Sequence, residues 1–296
     1  MNRRAITILA VAALGLTALI GASPAVAAPQ PPGTTTTYVA FGDSEAAGTG
    51  NLPYADTACL RSQKSYPMLL AATFGPVASY ACSGATTADV RGQILAAARA
   101  GDLGADTRMV TLTVGVNDID FGGVGWEQML IGCNSAPDAA TCVQTALGAA
   151  VGSLFALTGK IGTTVGAIRQ AAPHARILVT GYPLLFGQVT DSCSIGAYQG
   201  TPVKLSSAYT TLIDTGLTVL NSMIATGVAG YATASGDPGV SYVDVTATFA
   251  GHGLCDTGDR WISGLVSGQA NAVRSLHANA PGQQAFARVL AMAAAD

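Results

Sequence analysis

The sequence predicts an α/β fold in which helices cover both faces of a parallel sheet. Two observations lead there. Strand-like runs alternate with helical patterns over the whole length, as in a sheet built from crossover units. Polar motifs then fall repeatedly just after a strand, the edge where open α/β sheets place their chemistry. Apart from its N-terminal segment, the 296-residue chain is long enough for one sizeable domain and shows no internal linker.

The first part of the chain is not read as fold. Arg3 and Arg4 precede an apolar stretch from Ala5 to Ile20, and Ala25, Val26 and Ala27 form a small-x-small cleavage site. These are the parts of a secretory signal peptide at residues 1–27. A membrane anchor fits less well, because the stretch is short and Gly21 and Pro24 follow it closely. Residues 28–36, rich in Pro and Thr, are expected to be a flexible entry, with the domain proper at 37–296.

From Thr37 an apolar, β-branched and aromatic run stops at Gly42, Asp43 and Ser44, a buried strand followed by a turn. A loop from Asn51 to Lys64 leads to a short helix at Tyr66 to Phe74. Val77 to Cys82 alternates as a strand and ends at Ser83, Gly84 and Ala85. Thr86 or Thr87 can cap the next helix, which runs to about Gly101. Met109 to Val114 is a strand that ends at Gly115. Gly122 to Cys142 reads as loop-rich, and its glycines lack the Lys and the helix that a phosphate cradle needs. They are taken as a rim loop. An Ala-rich helix spans about Ala139 to Ala172, and Arg176 to Thr180 is a strand closed by Gly181, Tyr182 and Pro183. Leu184 to Gly200 is expected to be loop, about Val203 to Val228 helix, and Val240 to Thr246 strand. A loop from Phe249 to Arg274 precedes a closing helix from Pro281 to Ala295.

Composition narrows the function. Removing residues 1–27 takes two of the 14 basic residues and none of the 17 acidic ones, leaving 12 against 17 and a net charge of −5. With no basic cluster, a nucleic-acid or anionic-membrane partner is not expected. Cys59, Cys82, Cys133, Cys142, Cys193 and Cys255 are an even count behind a signal peptide, which points to three disulfides. Six cysteines allow 15 pairings, so the spacing leaves the connectivity open. No Cys-x-x-Cys is present for a zinc site, and neither metal nor organic cofactor is expected.

Ser44 alone is as compatible with an ordinary turn as with a nucleophile. Attack on an acyl carbonyl needs a base, normally histidine. His174 sits in a helix-to-strand turn at the wrong sheet edge, and His252, beside Cys255, reads as structural or rim-lining. His277 opens the last helix from a loop and is the candidate base. The oxyanion formed on attack needs fixed donors. The Asn117 side-chain amide, the Gly84 N–H and the Ser44 N–H all follow neighbouring strands, so their convergence is geometrically easy. Asn117 and Asp118 also make good turn chemistry, but the three motifs together favour catalysis.

At these residues the chain resembles the SGNH (GDSL-type) hydrolases. Gly42-Asp43-Ser44, Gly84, Gly115-Val116-Asn117-Asp118 and His277 match the family's four blocks in order, over nearly the whole mature chain. The cysteine layout and the run from Phe249 to Cys255 are similar to the secreted actinobacterial lipases and esterases of that family. The resemblance implies a flavodoxin-like three-layer α/β/α sandwich with a five-stranded parallel sheet. It also implies Ser44 as nucleophile, His277 as base, Gly84 and Asn117 as oxyanion donors, and sequential pairing as Cys59–Cys82, Cys133–Cys142 and Cys193–Cys255. The absence of any G-x-S-x-G excludes the ordinary α/β-hydrolase elbow.

Two positions depart from the family pattern. Arg274 stands where an Asp is usual three residues before the histidine, and a guanidinium cannot accept an imidazole N–H. A main-chain carbonyl near Arg274, preferred over Asp256 or Asp259, is expected to orient the ring. Glu45 follows the nucleophile where an uncharged residue is common. A carboxylate there raises the histidine pKa or repels anionic substrates if it faces the site, and does neither if it points away. The reading is therefore a secreted, extracellular serine esterase or lipase, a monomer acting on small-molecule or lipid esters without stable membrane insertion. The rivals are a phospholipase or a polysaccharide acetyl esterase on the same residues, and a catalytically silent binding protein on the same fold.

Overall fold

The computed structural model describes residues 36–266 and 273–295. The segment read as a signal peptide lies outside them. Five strands form the parallel sheet: β1 (Tyr38–Gly42), β4 (Val77–Ser79), β5 (Met109–Thr113), β6 (Arg176–Thr180) and β9 (Val240–Val243), in the order β4-β1-β5-β6-β9. The remaining strands make two antiparallel hairpins, β2 (Tyr54–Asp56) with β3 (Arg61–Ser62) and β7 (Ser192–Tyr198) with β8 (Thr201–Ser206).

Both faces of the sheet are covered, which is why its strands read as continuous apolar runs rather than alternating ones. Tyr38 and Ala40 face α2 (Tyr66–Phe74) and α8 (Ala280–Ala295). Val39 and Phe41 face α3 (Thr87–Ala100), α5 (Ala139–Ala171) and α6 (Ser207–Ser235). The two threonines of β5 are buried but satisfied. Thr111 pairs with the Tyr38 hydroxyl at 2.8 Å, and Thr113 with the hydroxyls of Tyr66 at 2.8 Å and Thr180 at 2.6 Å. By length and composition α5 and α6 are each long and apolar enough to cross a membrane. Here they lie against each other and bury Val143, Ala150, Leu157 and Ile161 from α5 and Leu220, Ile224 and Val228 from α6. Contact is closest at Gly227, where a Cβ would sit 2.6 Å from the Thr158 carbonyl oxygen.

The parallel sheet and its helices match the expectation, and Thr86 is the cap of α3, in a capping box with Asp89. Five local readings are corrected. β4 stops at Ser79, and β9 stops at Val243 before a short α7 (Thr246–Phe249). The expected loop from Leu184 to Gly200 contains β7, and the expected helix start at Val203 falls within β8, so α6 begins at Ser207. Val203 and Leu205 point inward on alternate positions, and Gln199 and Gly200, with φ 48° and 83°, form the two-residue turn. Such a turn needs positive φ at both positions, which Gln supplies less visibly than Asn. Finally, the expected loop after Gly122 holds α4 (Trp126–Asn134), which starts directly after Gly125.

Three disulfides join Cys59 to Cys82, Cys133 to Cys142 and Cys193 to Cys255. The first ties the β2–β3 loop to the segment before Gly84, the second ties α4 to α5, and the third ties β7 to the loop after α7. No free cysteine remains among the described residues.

Candidate active site

The site assembles where β1, β4, β5 and β6 end. At the close of β1, Gly42 has φ +137°, and a Cβ there would lie 2.2 Å from the Thr113 carbonyl oxygen. Only glycine permits that approach of β1 to β5. The Gln93 side chain of α3 grips the same residue from both sides, accepting from its N–H at 3.0 Å and donating to its carbonyl at 2.9 Å. Asp43 then caps α1 (Ser44–Ala47) by accepting the Glu45 N–H at 3.0 Å, so Ser44 is the first residue of that turn. Tyr182, just after β6, donates its hydroxyl to the other Asp43 oxygen and accepts the Val116 N–H at 3.1 Å. One phenol thus connects the serine turn with the turn that carries Asn117.

Gly84 occupies a left-handed turn, φ +81°, tied in by a hydrogen bond from the Cys82 N–H to the Gly42 carbonyl at 3.0 Å. Asn117 donates its side-chain amide to the Ala85 carbonyl at 3.1 Å, which brings the two candidate oxyanion donors onto neighbouring turns. Asp118 secures the base of that arrangement. It accepts from the Thr87 N–H at 2.8 Å and hydroxyl at 2.7 Å, and pairs with Lys160 at 3.1 Å.

His277 arrives from the far side on the loop before α8. Its Nδ1 lies 2.9 Å from the Ser275 carbonyl oxygen. A carbonyl only accepts, so Nδ1 carries the proton and Nε2 keeps its lone pair. The acceptor is a main-chain carbonyl near Arg274, as expected, but it belongs to Ser275. The Arg274 carbonyl instead accepts the His277 N–H at 3.3 Å, and its side chain is exposed. Asp256 is engaged elsewhere, accepting from the N–H groups of Gly253 at 2.7 Å and Gln188 at 3.2 Å. Asp259 offers its carbonyl to His252, whose ring stacks on Trp261 at 3.5 Å. His174 is exposed in the turn before β6, at the opposite sheet edge.

Ser44 and His277 line one cavity of about 30 Å³, walled by Trp126, Leu185, Leu217 and Leu276. Burial governs the charges around it. It lowers the His277 pKa to about 4, so the imidazole is neutral at neutral pH, with backbone hydrogen bonds to Ser275 and Val273 opposing the shift. It raises Asp43 to about 7 against the pull of the Tyr182 hydrogen bond. Glu45 is pushed up to about 8, chiefly by burial and also by the charge of Asp43, against the bond from the Ala278 N–H. Glu45 is buried with its carboxyl on the Ala278 N–H, so it points inward and not away, and burial favours its acid form at neutrality. Among the described residues no group of three or more His, Cys, Asp or Glu side chains is arranged to hold a metal ion.

A three-layer α/β/α sandwich with a serine turn after its first strand and a histidine loop across one cavity defines an SGNH-type hydrolase. The chain belongs to the GDSL-like lipase/acylhydrolase family, whose model matches residues 40–285. It is 33% identical to a lipase of Streptomyces rimosus over 287 residues, covering 96% of this chain and 95% of that protein. Among solved structures, phospholipase A1 from Streptomyces albidoflavus is 30% identical with a TM-score of 0.68, across 87% of this chain and 98% of that one. The extracellular lipase structure from Streptomyces rimosus is similar at 29% identity and the same TM-score of 0.68, across 86% and 98%. The protein is a carboxylic ester hydrolase.

Four participants escaped sequence reasoning: Gln93, Trp126, Tyr182 and the buried state of Glu45. Tyr182 had a usable signal, since it directly follows a strand at the same edge as the motifs. Trp126 was hidden behind Gly122, Gly123 and Gly125, and Gln93 sits unremarkably in a helix.

Proposed function

We propose that the protein is a secreted lipase or esterase acting through a Ser44–His277 acyl-enzyme mechanism. The observation that carries this is the shared cavity. Ser44 and His277 come from distant parts of the chain, yet both line it, and the Ser275 carbonyl fixes the imidazole proton on Nδ1. In the first step Ser44 Oγ attacks the ester carbonyl while Nε2 takes the hydroxyl proton. The oxyanion receives the N–H groups of Ser44 and Gly84 and the amide N–H of Asn117 that is not given to Ala85. Collapse expels the alcohol, protonated by His277. Water then repeats the sequence on the acyl-serine and releases the acid, with no metal or organic cofactor.

The cavity is small and its wall largely apolar, which suits the reacting ester group rather than a whole acyl chain. A longer chain would leave across the apolar wall of Trp126, Leu185 and Leu217, which favours lipid-like acyl groups. A panel of p-nitrophenyl esters, with phospholipid and acetyl-xylan alongside, tests this. We expect kcat/KM to rise from acetyl to octanoyl by about twofold per methylene, below the full worth of a buried CH2 because the chain stays partly wet. A peak at acetyl would instead favour a polysaccharide acetyl esterase. The likeness to phospholipase A1 supports phospholipid as the second reading, and release of fatty acid from phosphatidylcholine separates it.

Secretion is supported by the three disulfides, by the extracellular relative, and by the signal-peptide pattern at 1–27 preceding a hydrolase domain at 37–296. The pH dependence should follow His277. Its pKa is lowered, so the free base is present at neutral pH and is lost only as pH falls through about 4. The acid limb of kcat/KM for a soluble ester should therefore lie well below the ordinary histidine value of about 6.5. A limb at or above that value would show a solvated or charge-paired imidazole.

A further inference from the structure

We propose that Glu45 and Asn51 are positioning residues that clasp the peptide groups of Ala278 and so hold His277 against Ser44. This rests on the reading of Ser44 and His277 as the reacting pair. No disulfide joins their two segments, since the bridges run within 59–82, 133–142 and 193–255. On one side the histidine segment is held by backbone bonds, supplemented by Asn279 Nδ2 donating to the Arg260 carbonyl at 2.7 Å and Ser275 Oγ accepting the Val266 N–H at 3.1 Å. Leu276 N–H donates to Ser263 at 2.8 Å, Ser263 N–H to His277 at 2.9 Å, and Asn279 N–H to Trp261 at 2.9 Å. On the serine side the contact is made by two side chains. Glu45 Oε1 accepts the Ala278 N–H at 3.2 Å, and Asn51 Nδ2 donates to the Ala278 carbonyl at 2.9 Å.

The surroundings keep the clasp tight. Gln283, fully buried, donates to the Glu45 carbonyl at 3.1 Å and to Oε2 at 3.4 Å, and accepts the Tyr66 N–H at 2.7 Å. Both oxygens of the Glu45 carboxyl are thereby engaged. Asn51 also donates to Gly48 at 3.2 Å. At Gly50, φ +92°, a Cβ would sit 2.8 Å from Arg274 Cα, so the serine loop lies directly on the turn that leads to His277. Within that turn Leu276 holds φ +63°, a left-handed conformation that bulky residues avoid and that persists only where neighbours impose it. Removing one arm of the clasp releases that constraint one residue from the imidazole. The buried Ala278 N–H would also lose its acceptor where water cannot replace it.

The role needs an acceptor at position 45 and not a charge. The titratable groups that face Glu45 are Asp43 on its own turn, Tyr66 of α2, Tyr182 after β6 and, across the cavity, His277. None is cationic at neutral pH, in keeping with a protonated Glu45.

The test is steady-state kinetics on purified Glu45→Ala, Glu45→Gln and Asn51→Ala, assayed well below their melting temperatures, with Ser44→Ala as control. Glu45→Ala should lower kcat by about 10- to 100-fold with KM changed less than about twofold, as for a misplaced catalytic group. Glu45→Gln keeps an acceptor for Ala278 and should recover kcat to within about threefold of wild type. Unchanged kcat in Glu45→Ala, or equal losses in Glu45→Ala and Glu45→Gln, would overturn the clasp. If Glu45→Ala does not fold, Asn51→Ala decides alone: a fall in kcat at constant KM supports the proposal and an unchanged kcat ends it. An active Ser44→Ala would instead break the underlying reading, a result distinct from any of these.

Discussion

Ser44→Ala is expected to yield a folded protein whose ester hydrolysis is reduced by several orders of magnitude. Structurally the substitution is mild. The serine turn is set by Gly42, by the Asp43 cap and by the Gln93 grip, none of which uses the Ser44 hydroxyl. Melting temperature should therefore change little, and the loss should fall on kcat. Removing a nucleophile leaves only what oxyanion donors and binding supply, a residue of about 10³–10⁴ over water in the best-dissected serine hydrolases. Covalent labelling by a fluorophosphonate should vanish in parallel. Retention of more than about a tenth of wild-type kcat would move the nucleophile elsewhere.

The second large effect is expected at Asn117. Its amide has two N–H groups and gives one to the Ala85 carbonyl, which fixes the side chain and leaves the other for the oxyanion. A donor fixed before the reaction strengthens as charge develops on the carbonyl oxygen, so it acts in the transition state more than in the ground state. Asn117→Ala should lower kcat by about 10²–10³ with a smaller change in KM. The turn itself should survive, because Asp118 holds it through Thr87 and Lys160. A rise in KM alone would make Asn117 a substrate contact instead.

What could be read from the sequence divides along a physical line. The serine turn is chain-local: an apolar run, a glycine and a capping Asp lie within a few residues, and each constrains the next. That Gly84 and Asn117 would stand on turns following strands was legible for the same reason. The paired faces of β1 follow from its unbroken apolar run. Interactions between remote segments were not legible. Glu45 could be placed beside Ser44, but whether it turned inward depended on Ala278 and Gln283, 233 and 238 positions away. The acceptor of the His277 ring was foreseen as a main-chain carbonyl near Arg274, and it is that of Ser275; which carbonyl of the turn would serve depended on the left-handed Leu276. The β7–β8 hairpin was missed because its turn is built from Gln199 and Gly200, and α4 because its glycine-rich approach masks a helix of only nine residues.

The clasp on Ala278 also sets an order of events. β1 finds β4 and β5 through short crossovers, whereas the bonds from Asn51, Glu45 and Gln283 span 227, 233 and 238 positions. Contacts that close such long loops are entropically late in assembly. During refolding the sheet and its helices can form while the base is still absent from the serine, so circular dichroism should recover ahead of turnover. On the proposed mechanism, a half-assembled chain would have its serine turn and no base to activate it. Hydrolysis then begins only when the last helix docks.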